Sequence, residues 1–176
     1  MSTPVLTQVI PEQQWPHGFR LDGEDRAYWS ERTCGLACLT SIASFHGKPI
    51  PTIFQLLQEG VRLGHYTGSG WIHAGLAAMG QTYGFPGKPL PAPTIDDLHS
   101  CLEFTGSPLI ASVTRQFPED GRRGGHLVVV TAVSKRPVPS ICCRDPAGGG
   151  RPEIQVPAAR FSASYAGRII VFPRLA

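Results

Sequence analysis

The sequence predicts an α+β fold in which an N-terminal helical half packs on a C-terminal antiparallel sheet. Two features of the chain lead to this prediction. Between residues 33 and 105, apolar residues recur at helical spacing between recognisable caps. After Gly106, short runs rich in β-branched residues alternate with glycine and proline, which is typical of strands joined by turns. Helices followed by strands indicate an α+β layout rather than alternating parallel units.

The composition describes a compact globular chain. Its 176 residues are 41% hydrophobic and 16% charged, with a formal net charge of +3. This length suits one domain with a substantial core. No basic cluster exceeds a pair, which argues against a nucleic-acid partner, and no apolar run is long enough to span a membrane. We expect an irregular arm over residues 1–24, with a short strand from Val5 to Ile10, and one domain over residues 25–176.

Cysteine usage indicates the compartment. The chain has five cysteines, an odd number with two adjacent, which fits a reducing environment better than a disulfide framework. The N-terminus lacks the basic and apolar regions of a signal peptide, so we predict a cytoplasmic protein. Without a CxxC pair or clustered histidines, the sequence implies no metal, and it implies no cofactor. No feature indicates an oligomeric state.

The stretch from Thr33 to Gly47 carries the strongest helix signal. Thr33 is a candidate N-cap whose hydroxyl would accept a hydrogen bond from a first-turn amide, and Gly47 followed by Pro49 marks the end. Cys34 then lies in the first turn, where the helix dipole and unpaired amides stabilise a thiolate. Cys34 is therefore a candidate nucleophile, although a small buried hydrophobic role fits this stretch equally well.

The remaining elements follow in order along the chain. Three further helices are expected, each after a Ser or Thr cap: residues 52–60, 71–83 and 94–105. Two stretches between them are glycine-rich or proline-rich and are predicted to be loops: residues 64–70 and 87–93. Five strands are expected afterwards: residues 108–114, 126–135, 140–144, 153–156 and 168–173.

A histidine and an aspartate stand at matching strand ends. His126 begins the strongest predicted strand and Asp145 follows the next, so a hairpin of the two strands would make them neighbours. In such a pair the carboxylate orients the imidazole, which takes the thiol proton so that the thiolate can attack an acyl carbon. Cys34, His126 and Asp145 are therefore a candidate triad. The structural alternative is a strand-start histidine and a turn aspartate.

The residues Cys-Gly-Leu-Ala-Cys-Leu at Cys34–Leu39 resemble the active-site helix of papain-like cysteine peptidases. The likeness is closest to the bacteriocin-processing branch, which trims leader peptides after a double glycine. In that branch a His-x-Val-Val-Val strand and an Asp-Pro follow the helix, matching His126–Val130 and Asp145–Pro146. The resemblance covers roughly residues 26–173. It implies a papain-like fold, a peptide or precursor-peptide substrate and a thioester acyl-enzyme on Cys34.

One position departs from the family pattern. In this superfamily a glutamine about six residues before the nucleophile donates a hydrogen bond to the oxyanion hole. Here that position is Tyr28, while Gln13 and Gln14 lie about twenty residues upstream of Cys34. The Tyr28 hydroxyl is therefore the candidate oxyanion donor, beside the backbone amide of Cys34. The alternative is that Tyr28 only packs against the helix.

Three functional hypotheses remain open at the level of the sequence. The favoured one is a peptidase-like hydrolase that cleaves a peptide after small residues. The same acyl-enzyme could instead be resolved by an amine, which would make the protein an acyltransferase or peptide cyclase. A non-catalytic peptide-binding module on the same fold is the third hypothesis. The intact Cys34, His126 and Asp145 argue against it, and Tyr28 in the glutamine position mildly favours it.

Overall fold

The computed structural model describes residues 6–149 and 153–174. This part of the chain contains a short 3-10 helix (Glu12–Gln14) and six α-helices: α1 (Arg26–Ser30), α2 (Cys34–Phe45), α3 (Ile53–Arg62), α4 (His73–Thr82), α5 (Ile95–Thr105) and α6 (Ala158–Ser164). It contains eight strands: β1 (Tyr66–Thr67), β2 (Gly70–Trp71), β3 (Lys88–Pro91), β4 (Leu109–Val113), β5 (His126–Ser134), β6 (Ser140–Arg144), β7 (Ile154–Pro157) and β8 (Arg168–Val171).

Six of the strands form one antiparallel sheet. Its order is β3-β8-β4-β5-β6-β7, and β1 and β2 form a separate hairpin. Every neighbouring pair in the large sheet is antiparallel. With the helices mostly before this sheet, the predicted α+β class is confirmed.

The sheet separates the core into two layers, because successive side chains of a strand point to opposite faces. One face packs against α2, α3 and α4, and the strands contribute Ile110, Leu127, Val129 and Ile170 to that layer. The other face packs against α5 and α6, and its strand residues include Ala111, Val128, Val130 and Ile169. Helix α2 is buried along most of its length, so its N-terminus has a fixed position over the sheet.

The capping of α2 differs from the expectation. Thr33 does occupy the N-cap position, but its side chain accepts no hydrogen bond from the helix. Instead its hydroxyl donates to the backbone carbonyl of Gln8 at 2.5 Å. The N-terminal segment crosses the start of α2 and offers this buried acceptor, which no local pattern indicates. The C-terminal prediction is confirmed, since the helix ends at Phe45 and Gly47 has a φ of +63°.

The segment before α1 is irregular but packed. Within the predicted strand from Val5 to Ile10, Val5 lies outside the described residues and residues 6–10 form no strand. Leu6 and Ile10 are buried, and the amide of Gln8 donates to the carbonyl of Pro146 at 3.0 Å. Individual hydrogen bonds with Arg26, Ser30, Thr33 and Pro146, rather than a strand ladder, hold this segment. The division into an arm of residues 1–24 and a domain of residues 25–176 stays a prediction.

Four other expectations need correction. The predicted loop over residues 64–70 contains most of the β1–β2 hairpin, so α4 begins at His73 instead of Trp71, which belongs to β2. The proline-rich stretch 87–93 contains β3, which can accommodate two prolines because it is an edge strand. Helix α6 follows β7 in a stretch between two predicted strands, where no helix was predicted. It buries Phe161 and Ser164 but shows too short an apolar pattern to be recognised.

The predicted caps Thr52 and Thr94 both begin their helices, and each forms a capping box, with Gln55 and Asp97 respectively. None of the helices within residues 6–149 and 153–174 has the length and apolar character that a membrane crossing requires.

Candidate active site

Helix α2 presents Cys34, its first residue, at the edge of a cleft, where the residue is 9% exposed. Gly35 sets how closely the start of the helix can approach its neighbours. A Cβ on Gly35 would lie 2.9 Å from Leu76 Cδ1 and 3.0 Å from Trp71 Cγ, closer than packed carbons normally lie. The indole Nε1 of Trp71 also donates to the carbonyl of Arg32 at 2.7 Å. The β1–β2 hairpin is therefore joined directly to the entry of α2.

His126 and Asp145 are brought together by the β5–β6 hairpin. His126 is the first residue of β5, and Asp145 follows Arg144, the last residue of β6. The imidazole Nε2 donates to Asp145 Oδ1 at 2.7 Å, and both side chains are largely buried. The same carboxylate oxygen accepts the amide of Ala147 at 2.8 Å, which fixes its orientation. With Nε2 engaged, Nδ1 is the ring nitrogen that remains for Cys34.

The electrostatics of this pair favour a charged imidazole. Burial lowers the pKa of His126, but hydrogen bonds with Asp145 and Cys34 and the charges of both groups outweigh it and raise the pKa to about 9. Burial also opposes ionisation of Asp145. The hydrogen bond and charge of His126, the Ala147 amide and the charge of Arg115 nevertheless hold the pKa of that carboxyl below its usual value. An imidazolium beside a thiol stabilises the thiolate form.

The other four cysteines lie in different surroundings. Burial is the largest cause that raises the pKa of Cys38, Cys101 and Cys142, and it raises the pKa of Cys143 to about 12. Cys38 lies one turn beyond Cys34 and donates its thiol to the carbonyl of Leu127 at 3.4 Å. Cys38 is therefore held in the core between α2 and β5.

The cleft has a volume of about 1070 Å³, and Cys34 and His126 both line it. Its lining includes residues of the β1–β2 hairpin, the start of α4, β3 and the first residue of β8. Gly124 and Gly125 also line it, with φ angles of +79° and +87° that favour glycine. A Cβ on Gly125 would meet no atom within 4 Å, so there is open space at this position. A peptide backbone can therefore approach closely beside His126.

The structure places Tyr28 next to this cleft but not in its lining. The half-buried ring packs edge-on against Trp29, with centroids 5.4 Å apart, and the guanidinium carbon of Arg32 lies 3.6 Å from its centroid. Among the described residues, Arg32 and Tyr66 line the cleft and Tyr28 does not. The role of Tyr28 as an oxyanion donor stays a prediction.

Arg32 and Tyr66 are cleft residues that sequence reasoning did not identify. Burial raises the pKa of Tyr66, with smaller effects from Tyr28, Arg32 and Cys34. No motif includes either residue. Arg32 could have been noticed only because it stands two positions before Cys34, while the approach of Tyr66 depends on the hairpin.

The cleft also carries excess positive charge. Arg32, Arg115 and Arg168 line it, and Glu31 is an acidic residue beside them. Glu31 is paired with Arg115 at 2.7 Å. Within the described ranges, no group of three or more His, Cys, Asp or Glu residues is arranged to hold a metal ion.

Comparisons with protein-family models and with curated proteins give no match. Solved structures do match. The peptidase domain of ComA from Streptococcus, a bifunctional ABC transporter of a quorum-sensing pathway, aligns with a TM-score of 0.61 and 21% identity over 82% of this chain and 93% of that one. A C39-like peptidase from Bacillus anthracis aligns with a TM-score of 0.62 and 16% identity over 98% of each chain.

A third match is a double-glycine motif protease from an AMS/PCAT transporter, solved in complex with its leader peptide. It aligns with a TM-score of 0.53 and 18% identity over 81% of this chain and 84% of that chain. Identities this low show a shared fold. The chain therefore has the fold of double-glycine leader peptidase domains and C39-like peptidases, which is the papain-like fold that the motif at Cys34 indicates.

Proposed function

We propose that this chain is a cysteine peptidase that cleaves a precursor peptide after small residues. The observation that carries the proposal is the hydrogen-bonded pair of His126 and Asp145, which stands with Cys34 at one cleft. The fold shared with peptidase domains supports the reaction class. The matching protease that holds a leader peptide supports a leader peptide as the substrate.

In the proposed acylation step, the Cys34 thiolate attacks the carbonyl carbon of the scissile bond. The carbonyl oxygen becomes an oxyanion, to which first-turn amides of α2 can donate because no side chain caps them. The His126 imidazolium then gives a proton to the leaving amine as the C–N bond breaks. The product is a thioester between Cys34 and the N-terminal fragment, and Asp145 keeps the ring oriented throughout.

In the proposed deacylation step, His126 accepts a proton from a water molecule that attacks the thioester carbonyl. A second oxyanion forms and collapses, the C–S bond breaks, and the fragment leaves with a new carboxylate. The proton returns to the Cys34–His126 pair, so the enzyme is regenerated. An amine in place of water would give acyl transfer or cyclisation by the same steps.

The preference for small residues follows from the surroundings of His126. Gly124 and Gly125 line the cleft directly before it, and the space beside Gly125 is open. A glycine-containing peptide backbone can approach these positions with little steric restriction. We therefore propose cleavage after a small residue, with Gly-Gly as the first sequence to test.

The experiment uses precursor-like peptides with a central Gly-Gly and follows both cleavage and the mass of the intact protein. Wild type should give a cleaved peptide and a transient adduct on Cys34. Cys34→Ala and His126→Ala should each abolish cleavage, and the double variant should be no worse, because the pair acts as a unit. Cys142→Ala changes a partly exposed cysteine outside the cleft lining and should retain wild-type activity.

The outcome also separates the competing functions. An adduct that forms with these peptides and turns over only when amines are added would identify an acyltransferase or cyclase. The peptides could instead bind without forming any adduct on Cys34, although a small reagent still alkylates the thiol. That result would contradict a peptidase and identify a binding module.

A further inference from the structure

We propose that the cleft contains a carboxylate-binding subsite formed by Arg168 and Ser112, which selects peptides with Asp or Glu about three residues from the cleaved bond. This inference rests on the proposed function, since it takes a peptide as the occupant of the cleft. It names a specificity determinant outside the Cys34, His126 and Asp145 group.

The register of the sheet places the two side chains on the cleft side. Ile110 pairs with Ile170 and Ala111 with Ile169, so the next residues in this register are Ser112 and Arg168. Ile110 and Ile170 belong to the core layer beneath α2, and residues two positions apart on a strand share a face. Ser112 and Arg168 therefore face the same side as α2, and both line the cleft.

The two polar groups converge beside Gly124. A Cβ on Gly124 would lie 3.3 Å from Ser112 Oγ and 3.8 Å from Arg168 Nη2. Both groups therefore reach nearly the same position, and a side chain there would obstruct them. The φ of +79° at Gly124 adds a backbone reason for glycine. The result is a small polar site with one hydroxyl and one guanidinium, which matches the two oxygens of a carboxylate.

Neither group has a partner within the described part of the chain. Ser112 is 3% exposed, yet its hydroxyl makes no hydrogen bond to another described residue although it lines the cleft. The guanidinium of Arg168 likewise makes no hydrogen bond or ion pair with a described residue. A hydroxyl that lines the cleft without a partner, beside an exposed and unpaired guanidinium, can bind an anionic ligand.

The surrounding charges favour an anion over a cation. Glu31 is already paired with Arg115, so it does not neutralise Arg32 or Arg168. His73 begins α4, whose N-cap residue Ile72 provides no side-chain acceptor, so positively polarised amides also face the cleft. Burial is the main cause that lowers the pKa of His73, and the charge of Arg168 lowers it further. The charge of Arg168 therefore acts on the start of α4, which also lines the cleft.

The distance to the proposed nucleophile sets the position of the acidic residue. Gly124 stands two residues before His126, a separation of at most roughly 7 Å along an extended chain. The guanidinium near Gly124 is therefore on the order of 10 Å from the catalytic pair. An extended peptide advances about 3.3 Å per residue, so a carboxylate about three residues from the cleaved bond reaches this subsite.

The test measures binding rather than turnover. Fluorescein-labelled dodecapeptides with a central Gly-Gly and otherwise Ala and Gln residues receive Glu at one position at a time, on either side of the glycines. Their affinity for the Cys34→Ala protein is measured by fluorescence anisotropy at low salt. We expect one position at which Glu binds about tenfold more tightly than Gln, which is the size expected for one hydrogen bond to a charged group.

Substitutions then assign that preference to the subsite. Arg168→Gln should remove the preference for Glu while leaving the affinity of the all-Gln peptide within about twofold. Arg168→Glu should make a peptide with Lys at that position bind more tightly than the Glu peptide. Ser112→Ala should reduce the ratio of Glu-peptide to Gln-peptide affinity about threefold. Arg174→Gln is the matched control, since Arg174 stacks on Phe45 at the opposite end of α2 and should retain the full preference.

Two results would overturn the inference. One is equal affinity for the Glu and Gln peptides at every position. If the all-Gln peptide then still protects Cys34 of the wild-type protein from alkylation, the proposed function stands without the subsite. The other is a Glu preference that survives Arg168→Gln. If no peptide binds or protects Cys34, the proposed function itself fails. Thermal unfolding of each variant checks that the fold is retained.

Discussion

The imidazole Nε2 of His126 donates to Asp145 Oδ1 at 2.7 Å, although 19 positions separate the two residues in the chain. The β5–β6 hairpin brings them together, and the amide of Ala147 holds the carboxylate in place. This contact determines the orientation of the ring and contributes to its raised pKa. Its removal should therefore be visible in the pH dependence of the protein.

Asp145→Asn should shift the alkaline limit of activity to lower pH. The proposed mechanism needs a His126 imidazolium to protonate the leaving amine, so kcat/KM should fall as pH rises through about 9 in wild type. Removal of the carboxylate charge makes the imidazolium less stable, so the pKa of His126 decreases and activity is lost at a lower pH. The pH profile of peptide cleavage measures this shift, and NMR titration of the His126 ring provides a readout independent of activity.

Asp120→Asn is the control for that measurement, because Asp120 is paired with Arg122 on the surface. Its pH profile should match that of wild type. An unchanged alkaline limit in Asp145→Asn would show that the aspartate does not control the charge of His126.

Cys34 should be the fastest thiol to react with iodoacetamide at neutral pH. It stands at the N-terminus of α2 beside His126, whereas burial raises the pKa of each of the four other cysteines. Peptide mapping by mass spectrometry after brief exposure gives the relative rates. Cys142 is the most stringent comparison, since it is partly exposed. Labelling of Cys142 as fast as Cys34 would contradict the nucleophile assignment.

Tyr28→Phe tests the predicted oxyanion donor. If the Tyr28 hydroxyl donates to the oxyanion, its removal should lower turnover by ~10²–10³ without slowing the alkylation of Cys34. The thermal stability should change little, because a phenylalanine ring keeps the contacts with Trp29 and Arg32.

Tyr66→Phe is the matched comparison, because Tyr66 lines the cleft with Cys34 while Tyr28 does not. Turnover within about threefold of wild type in Tyr28→Phe, together with a large loss in Tyr66→Phe, would reassign the donor to Tyr66. A small change in turnover in both variants would indicate that backbone amides of α2 alone donate hydrogen bonds to the oxyanion.

Thr33→Val should destabilise the fold. The buried Thr33 hydroxyl donates to the carbonyl of Gln8, and valine has the same shape without a donor. A buried acceptor left unpaired costs about 1–3 kcal/mol, so we expect a decrease of that size in the free energy of unfolding measured by urea denaturation. Thr40→Val on the same helix is the control. Its hydroxyl only bonds back to the carbonyl of Leu36, and the change should be within about 0.5 kcal/mol.

The sequence by itself determined the elements whose signals are local. Helix α2 ends where Gly47 predicts, and the capping boxes at Thr52 and Thr94 begin α3 and α5, because caps depend on residues within one turn of each other. The strand runs near His126 and Asp145 were recognisable for a similar reason. Alternation and turn residues within a few positions define them, and their order already indicates a hairpin.

Only the tertiary structure decided the features that depend on distant partners. Strand β3 exists because Lys88 to Pro91 pair with β8, about eighty positions later, and no local pattern reveals that pairing. The Thr33 hydroxyl bonds Gln8 rather than its own helix because the N-terminal segment passes within reach. Arg168 and Ser112 likewise converge on Gly124 only through the register of β4 and β8. Preferences for helix caps, strands and turns depend on neighbouring residues and can be recognised in the sequence. Contacts between remote segments form only when the whole core packs.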